Sequence, residues 1–324
     1  MMRVLLGALS PAERRARLSI LAFHRVLPSP DLLFPSEVHA ERFDQICEWV
    51  RQWFNVLPLD EACRRLRDCS LPARAMAITF DDGYSDNHDI AVPILRRHGL
   101  NATFFVATGF LDGGRMWNDT LVEAVRRTDR AVLDLLATGL QGIDYLTVSS
   151  VAERRLAIDR LINACRYLPV QQRAAATQAV GVAAGAALPD NLMMTSDQVL
   201  SLHRQGMGIG GHTVSHPILT RLPLDAARDE IQSGKAALEA LTQAPIRLFA
   251  YPNGHPGVDF DASHAALVRE LGFLAAVTTS WGVSDHRTDQ FQLPRFTPWD
   301  RRKWAFGMRL ARNIGLRRPA MRHV

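Results

Sequence analysis

The sequence Ile-Thr-Phe-Asp-Asp-Gly-Tyr at residues 78–84 joins an apolar run to two adjacent carboxylates. The run Met-Ala-Ile-Thr-Phe at residues 76–80 has the apolar, β-branched and aromatic side chains that are typical of a buried strand. Gly83 permits a tight turn directly afterwards, because glycine has no Cβ to clash. The stretch therefore predicts a buried strand that presents Asp81 and Asp82 at its carboxyl end.

Similar apolar runs recur along the chain and alternate with patterns of helical period. Such alternation indicates parallel βαβ units and an α/β fold. Strands are predicted at residues 18–24, 54–57, 76–80, 102–107, 208–212, 247–251, 275–279 and near 291–296, and helices at residues 36–53, 60–67, 87–98, 223–241 and 261–271.

Composition indicates a globular protein, since 47% of the 324 residues are hydrophobic and 22% are charged. No apolar run approaches the roughly 20 residues that span a bilayer. We expect a single domain over residues 1–324, with a helical insert at about 118–205 and a basic C-terminal segment at about 299–324. The short apolar run at residues 4–9 precedes a charged cluster, which favours a helix over an export signal.

The net charge of +5 is concentrated at the C-terminus, where residues 295–324 contain nine Lys or Arg and one acid, Asp300. Trp299 and Trp304 lie among these bases, so peripheral contact with an anionic membrane is one interpretation. The other is a terminal helix packed on the domain with a solvated basic rim. No base-reading motif accompanies the charge, so no nucleic-acid partner is expected. We expect a cytoplasmic location, peripheral at the membrane if the first interpretation holds.

A second motif, His-Thr-Val-Ser-His at residues 212–216, places two imidazoles four residues apart after a glycine-rich predicted strand. Either histidine alone would more often be structural, and Asp-Asp-Gly alone is a common turn. Together they offer two nitrogens and one carboxylate to a divalent metal, with a second carboxylate left as a base. Because His24 and residues 251–254 also follow predicted strands, all four segments should meet at one edge of the sheet.

These motifs resemble those of the polysaccharide deacetylases, the NodB-like enzymes of carbohydrate esterase family 4. Residues 79–84 match their first motif, residues 212–216 their second, and Phe-Ala-Tyr-Pro-Asn-Gly at residues 249–254 takes the place of the third. The resemblance covers roughly residues 18–110 and 195–300. It implies a distorted (β/α) barrel of seven strands and the removal of acetyl groups from an N-acetylated glycan or glycolipid.

The resemblance also implies a role for each residue of the site. Asp82, His212 and His216 would bind Zn²⁺ or another divalent transition metal, and Asp81 would be the general base. Contacts with the substrate or the oxyanion are expected from a larger set: Gly83, Tyr84, Tyr251, Pro252 and Asn253.

The chain departs from the family pattern in two places. Many members brace the base with an Arg in the third motif, where this chain has Ala250. Arg295, after the last predicted strand, is our candidate replacement, and Arg247 is a weaker one. The family's late Leu-x-His, which supplies the general acid, is also not evident. His24 is our candidate acid, as in the subgroup resembling poly-N-acetylglucosamine deacetylases, and is preferred to His286 in its polar loop.

Two other functions stay open on these residues. The same site could cleave O-acetyl esters. The loss of the third-motif Arg also fits a carbohydrate-binding protein with a degenerate site, although both Asp and both His are intact. A Mg²⁺ phosphatase is disfavoured, because paired imidazoles suit softer ions than Mg²⁺.

Overall fold

The computed structural model describes residues 1–316 and contains both helices and strands. The strands are β1 Ser19–Phe23, β2 Asn55–Val56, β3 Ala75–Phe80, β4 Thr103–Val106, β5 Val132–Asp134, β6 Tyr145–Thr147, β7 Gly208–Gly211, β8 Leu248–Ala250 and β9 Ala275–Val277. The helices are α1 Met2–Leu9, α2 Ala40–Trp53, α3 Leu59–Arg67, α4 Val92–Arg97, α5 Trp117–Arg127, α6 Val151–Cys165, α7 Val170–Ala184, α8 Ser196–Arg204, α9 Leu224–Thr242, α10 Ala262–Glu270 and α11 Lys303–Gly315.

The chain divides into two compact units. The first contains Met1–Ser29, Val38–Leu111 and the described residues from Met194 onward, and the second contains Pro30–Glu37 and Asp112–Met193. The first unit is a distorted (β/α) barrel, as predicted. Its seven parallel strands run in the order β1-β3-β4-β7-β8-β9, with β2 beside β3.

The segment at residues 291–297 bonds to both outer strands of this order. Leu293 forms a parallel bridge with Val277 of β9, and the Phe296 N–H donates to the Ile20 carbonyl of β1 at 2.8 Å. A strand was predicted near residues 291–296, but the structure has only this bridge. The physical reason is Pro294, which has no N–H with which to continue a ladder.

The two faces of β3 enter different cores because strand side chains alternate. Phe80 packs with the helix layer, where its ring stacks on Phe104 at a centroid distance of 4.9 Å. Ala75 and Ala77 point the other way, into a cluster of small and aliphatic side chains from β1, β8 and β9. The same alternation places Asp81 on the face of these alanines. Burying a side chain such as Phe80 contributes about 1.5–3 kcal/mol, so this register is strongly fixed.

The second unit packs α5, α6 and α7 around its own apolar core. It also contains the antiparallel pair β5–β6, in which Leu133 faces Leu146. The sequence pattern predicted only helix here, because each strand has three residues with a single buried one and so gives no apolar run. The predicted insert also extended to residue 205, whereas α8 belongs to the first unit.

The basic C-terminal segment includes α11, whose Phe306 and Leu310 are buried. Residues 317–324 of that segment lie outside the described residues. No helix within residues 1–316 is both long and apolar enough to span a bilayer.

Candidate active site

The two adjacent carboxylates separate at the end of β3 because the backbone turns sharply there. Asp82 has φ +75° and Gly83 has φ +92°. A left-handed conformation is uncommon for aspartate and costs about 1–3 kcal/mol when the surroundings impose it. This turn breaks the strand alternation after Asp81, so each carboxylate acquires its own set of partners.

Asp81 is held by Arg295. The two terminal guanidinium nitrogens of Arg295 donate to Asp81 Oδ1 at 2.7 Å and to Oδ2 at 2.6 Å. Its Nε donates to the Thr278 carbonyl at 2.9 Å, and Nη1 also reaches Thr79 Oγ1 at 3.2 Å. Both partners are buried, so this planar, doubly bonded pair fixes the orientation of the carboxylate.

The ion pair keeps Asp81 ionised. Burial favours the neutral acid, but the charge and hydrogen bonds of Arg295, with smaller contributions from His212 and His24, lower the pKa of Asp81 below its ordinary value. An ionised carboxylate with no proton to donate can only accept one, as a general base must.

Asp82 lies beside two imidazoles instead. His212 Nε2 is 3.3 Å and His216 Nε2 is 3.4 Å from Asp82 Oδ1, and one donor atom from each residue lies within 4.8 Å of the others. Two nitrogens and one carboxylate oxygen converging in this way form a candidate site for a divalent metal.

The sequence of β7 allows His212 to come so close. A Cβ on Gly210 would lie 2.4 Å from a ring carbon of Phe105 on the neighbouring β4. Glycine therefore lets β7 pack against β4 at this distance, and β7 ends one residue before the first histidine. The glycine-rich sequence of the strand predicted before the second motif is the signal of this close packing.

The loop between the two histidines is held by two side chains. Thr213 Oγ1 accepts the His216 N–H at 3.1 Å, and Glu230 on α9 accepts the N–H groups of Val214 and Ser215 at 2.9 and 2.8 Å. His216 has φ +52° and Thr213 φ +65°, so the loop keeps an unfavoured conformation that these bonds stabilise.

Protonation of the two histidines is set by their surroundings. His212 Nδ1 lies 2.7 Å from the Ala250 carbonyl, which can only accept, so Nδ1 carries a hydrogen and Nε2 is the nitrogen that faces Asp82. Burial opposes a charge on His212, but the hydrogen bond to Asp82 outweighs it and the pKa of His212 is raised. Burial lowers the pKa of His216 to about 4, despite the opposing charge of Asp82.

The surroundings of Asp82 also favour its ligand form. Burial would raise the pKa of Asp82, but the hydrogen bond from His212 lowers it. The carboxylate is therefore ionised, as a metal ligand must be.

His24 follows β1, and the register pairs Phe23 with Phe80, so His24 lies next to Asp81 along the sheet edge. The Asp81 N–H donates to the Phe23 carbonyl at 2.9 Å. The His24 carbonyl accepts from Asn87 Nδ2 at 2.8 Å, while the residue itself is exposed. An exposed imidazole at this edge is open to an incoming substrate.

The expected substrate and oxyanion residues lie in varied surroundings. The Tyr251 ring stacks on Phe260 at a centroid distance of 3.7 Å, and its hydroxyl donates to the Phe291 carbonyl at 3.0 Å. The phenol is therefore packed and hydrogen-bonded within the core. Burial also raises its pKa. Pro252 is buried, whereas Asn253 is exposed in a left-handed turn.

In the first turn, the Gly83 N–H donates to the Asp81 carbonyl at 3.0 Å, so it is not directed at an oxyanion in this structure. Tyr84 is buried, with the Arg25 guanidinium 4.7 Å from its ring centroid.

The weaker candidates for the Arg that braces the base and for the general acid lie at the opposite edge of the sheet. Arg247 is exposed and precedes β8, which places it at the amino edge of the sheet. His286 follows Ser284, which pairs with Leu18 at the beginning of β1 and so also lies at that opposite edge.

Sequence reasoning missed several residues that support the site. Asp86 accepts Arg25 Nε at 2.8 Å and the Val26 N–H at 3.1 Å, and with Asn87 it fixes the segment that carries His24. Their position just after the first motif was a usable signal. Glu230 gave no local signal, because its partners lie 15 and 16 residues away in the sequence.

A parallel barrel with a carboxylate–guanidinium pair next to an Asp/His/His cluster at one edge is an arrangement that suits hydrolytic chemistry. The polysaccharide deacetylase family model matches residues 69–133 and 167–276, which together exceed half of the chain. The chain belongs to the polysaccharide deacetylase family, and the resemblance inferred from its three motifs is confirmed.

Individual relatives agree with this assignment. The chain is 32% identical to YxkH of Bacillus subtilis (strain 168) over 96 residues, which are 29% of this chain and 33% of that protein. The chain thus matches about a third of the length of this curated relative. The fold is similar to deacetylase PplD of Streptococcus pyogenes, with a TM-score of 0.59 and 19% identity over 92% of this chain and 98% of that one. It is also similar to IcaB from Ammonifex degensii, with a TM-score of 0.57 and 19% identity over 93% and 97% of the two chains.

Proposed function

We propose that the protein is a metal-dependent N-deacetylase that hydrolyses the acetamide of an N-acetylated sugar in a glycan, polysaccharide or lipid-linked sugar. The observation that carries the proposal is the pairing of Arg295 with Asp81 directly beside Asp82, His212 and His216. A base held ionised next to a candidate metal site is what amide hydrolysis by water requires.

The residues fit Zn²⁺ or a similar ion. Asp82 is ionised and His216 is neutral near pH 7. The Nδ1 of His212 is used on the Ala250 carbonyl, so Nε2 would bind the ion after giving up any proton it holds. A bound ion would supply Lewis-acid chemistry, polarising the acetyl carbonyl and acidifying a water molecule.

Within this proposal, Asp81 accepts a proton from the attacking water while Arg295 holds its carboxylate in place. The water oxygen adds to the acetyl carbon, and the carbon–nitrogen bond then breaks to give acetate and an amine. An amine leaves poorly unless it is protonated, and we assign that proton donation to His24. We also assign the main-chain N–H of Tyr84, in the turn that follows β3, to the oxyanion that forms on the acetyl group. PplD, a structural relative, was described in complex with acetate, the product expected here.

The decisive experiment measures acetate release from N-acetylglucosamine oligomers. Purified protein is stripped with a chelator and assayed with and without added Zn²⁺, alongside Asp81→Asn as the control. Release that returns with Zn²⁺ and disappears in Asp81→Asn supports the proposal. Release that Asp81→Asn leaves undiminished would remove Asp81 as the base, and faster turnover of O-acetyl than of N-acetyl sugars would favour an ester deacetylase.

A further inference from the structure

Helices α1 and α11 pack side by side in the first unit. A Cβ on Gly307 of α11 would lie 2.6 Å from the Met2 side chain, and a Cβ on Gly315 would lie 3.8 Å from Leu9. Glycine at these positions lets the two helices approach closely, and the contacts near both ends show that the helices run in the same direction. We call α1 and α11 the terminal helix pair. Its inner side, which includes Phe306, joins the main apolar core.

The terminal helix pair also exposes apolar side chains to solvent. Trp304 and Met308, one helical turn apart on α11, are 51% and 41% exposed, and Val4 of α1 is 76% exposed. Leu316, directly after α11, is 46% exposed. Keeping such side chains in water forgoes burial energy, so their grouping on two adjacent helices indicates a binding surface.

The positive charge of the chain is concentrated around the same helices. Residues 1–17 and 299–316 contain nine Lys or Arg and two acids, whereas residues 18–298 contain 26 Lys or Arg and 31 acids. One of the two acids, Asp300, is already paired with Arg309 at 2.9 Å. The bases that are exposed on the pair or just before α11 include Arg3, Arg302, Lys303 and Arg312. The exposed apolar side chains are therefore surrounded by positive charge.

Some of these bases lie close enough to one another to repel. Burial and the charge of Arg3 lower the pKa of Arg74. Burial and the charge of Arg301 lower the pKa of Arg42, although Asp300 opposes the shift. Like charges brought together in this way cost free energy, and an anionic partner would offset that cost.

An anionic membrane surface matches both properties. Helices that lie in a membrane interface combine bases, which attract acidic headgroups, with tryptophan and aliphatic side chains, which enter the boundary of the acyl chains. A nucleic acid would satisfy the bases but would leave the aliphatic side chains in water. We infer that the terminal helix pair binds the surface of a membrane that contains anionic lipid, with Trp304, Met308 and Val4 toward the acyl chains. The inference does not depend on the proposed deacetylase function.

The test measures adsorption of the full chain to lipid vesicles by co-sedimentation. Vesicles of phosphatidylcholine mixed with phosphatidylglycerol are compared with vesicles of phosphatidylcholine alone at the same ionic strength. The unaltered protein should adsorb at least about tenfold more strongly to the anionic vesicles. Arg3→Gln/Arg312→Gln should weaken that adsorption about 10- to 30-fold, because each base near such a surface contributes roughly a fivefold change. The matched control Arg160→Gln/Arg204→Gln removes the same charge from exposed positions on α6 and α8, and should retain nearly full adsorption.

The apolar contribution is measured separately. Trp304→Ala should weaken adsorption to the anionic vesicles by about fivefold or more, because the indole no longer enters the acyl boundary. Leu156→Ala is the control, since Leu156 is 61% exposed on α6, outside the terminal helix pair. It should adsorb as the unaltered protein does.

Four results would overturn the inference. The first is equal adsorption of the unaltered protein to both kinds of vesicle, or adsorption to neither. The second is full adsorption by Arg3→Gln/Arg312→Gln. The third is binding of a DNA duplex without adsorption to vesicles, which would assign the surface to a nucleic acid. The fourth is a dimer that Trp304→Ala dissociates, again without adsorption, which would assign the surface to a second copy of the chain. Vesicle adsorption needs neither a metal nor turnover, so this test and the acetate assay can fail separately.

Discussion

Arg295 donates hydrogen bonds to Asp81 from both terminal nitrogens, at 2.7 and 2.6 Å, although 214 residues separate the two in the chain. The family resemblance led us to expect such an Arg in the third motif, where this chain has Ala250. The guanidinium arrives instead from the segment at residues 291–297, which bonds to both β9 and β1.

Replacing Arg295 by Lys should lower kcat about 10- to 100-fold while KM changes little, because lysine keeps the charge but cannot hold both carboxylate oxygens. Steady-state kinetics on N-acetylglucosamine oligomers measures both constants, with the melting temperature recorded alongside. Arg247→Lys serves as the control, since that side chain is exposed at the other edge of the sheet. Equal losses in the two variants would contradict the assigned brace.

The same ion pair predicts a pH-dependent stability. Burial opposes ionisation, but Arg295 lowers the folded pKa of Asp81 below its ordinary value of 3.8. The ionised carboxylate therefore stabilises the fold above the unfolded pKa, and this contribution is lost as the pH falls through the folded pKa. Asp81→Asn, which leaves Arg295 buried without its counter-charge, should cost about 3–5 kcal/mol at neutral pH.

Urea unfolding across the acidic range checks this. The free-energy difference between the unaltered protein and Asp81→Asn should shrink as the pH falls through the folded pKa, and a difference that stays constant would refute the linkage. Glu270→Gln is the control: Glu270 pairs with Arg228 at the surface and is 63% exposed, so its replacement should leave the free energy of unfolding nearly unchanged.

Much of the barrel was predictable because its strands are apolar runs and the candidate metal ligands follow them. Strands β3 and β7 were placed almost to the residue, and with them Asp82 and His212. Local patterns could not show what distant segments do. Two contacts depend on packing between elements far apart in sequence: the hydrogen bond from the Tyr251 hydroxyl to Phe291, and the bond from the Val214 N–H to Glu230. Strands such as β5, with one buried residue, carry no periodic signal at all.

Metal binding should depend on each of the three donors. Asp82→Ala or His212→Ala should reduce bound Zn²⁺ from one equivalent to an undetectable level, because two remaining ligands rarely hold an ion against a chelator. Elemental analysis of dialysed protein gives the ratio directly. His203→Ala, a histidine of α8 outside the cluster, should keep the full equivalent. Unchanged metal content in Asp82→Ala would reject the ligand assignment.

The close approach of β7 to β4 can be tested through one methyl group. A Cβ at position 210 would lie 2.4 Å from the Phe105 ring and 3.1 Å from the Leu248 carbonyl, so Gly210→Ala should destabilise the protein by about 1–3 kcal/mol. Thermal unfolding measures the loss. Gly7→Ala is the control. Gly7 lies within α1, and a Cβ there would have its nearest contact at 3.5 Å, so the substitution should be neutral or slightly stabilising. Similar destabilisation in both would show that packing at position 210 is not special.

Comparing an amide with an ester substrate distinguishes a His24 that protonates the leaving group from one that is merely structural. If it protonates the departing amine, His24→Ala should lower kcat on N-acetyl sugars by about 100-fold or more. An alkoxide leaves more readily than an unprotonated amine, so turnover of an O-acetyl sugar should fall much less in the same variant. Comparing kcat for the two substrates, with unchanged metal content as a check on folding, measures this selectivity. His286→Ala should affect neither substrate, because it lies beyond Ser284 at the amino edge of β1. Equal losses on amide and ester in His24→Ala would assign His24 to holding the site together, and the proton would then have to come from elsewhere.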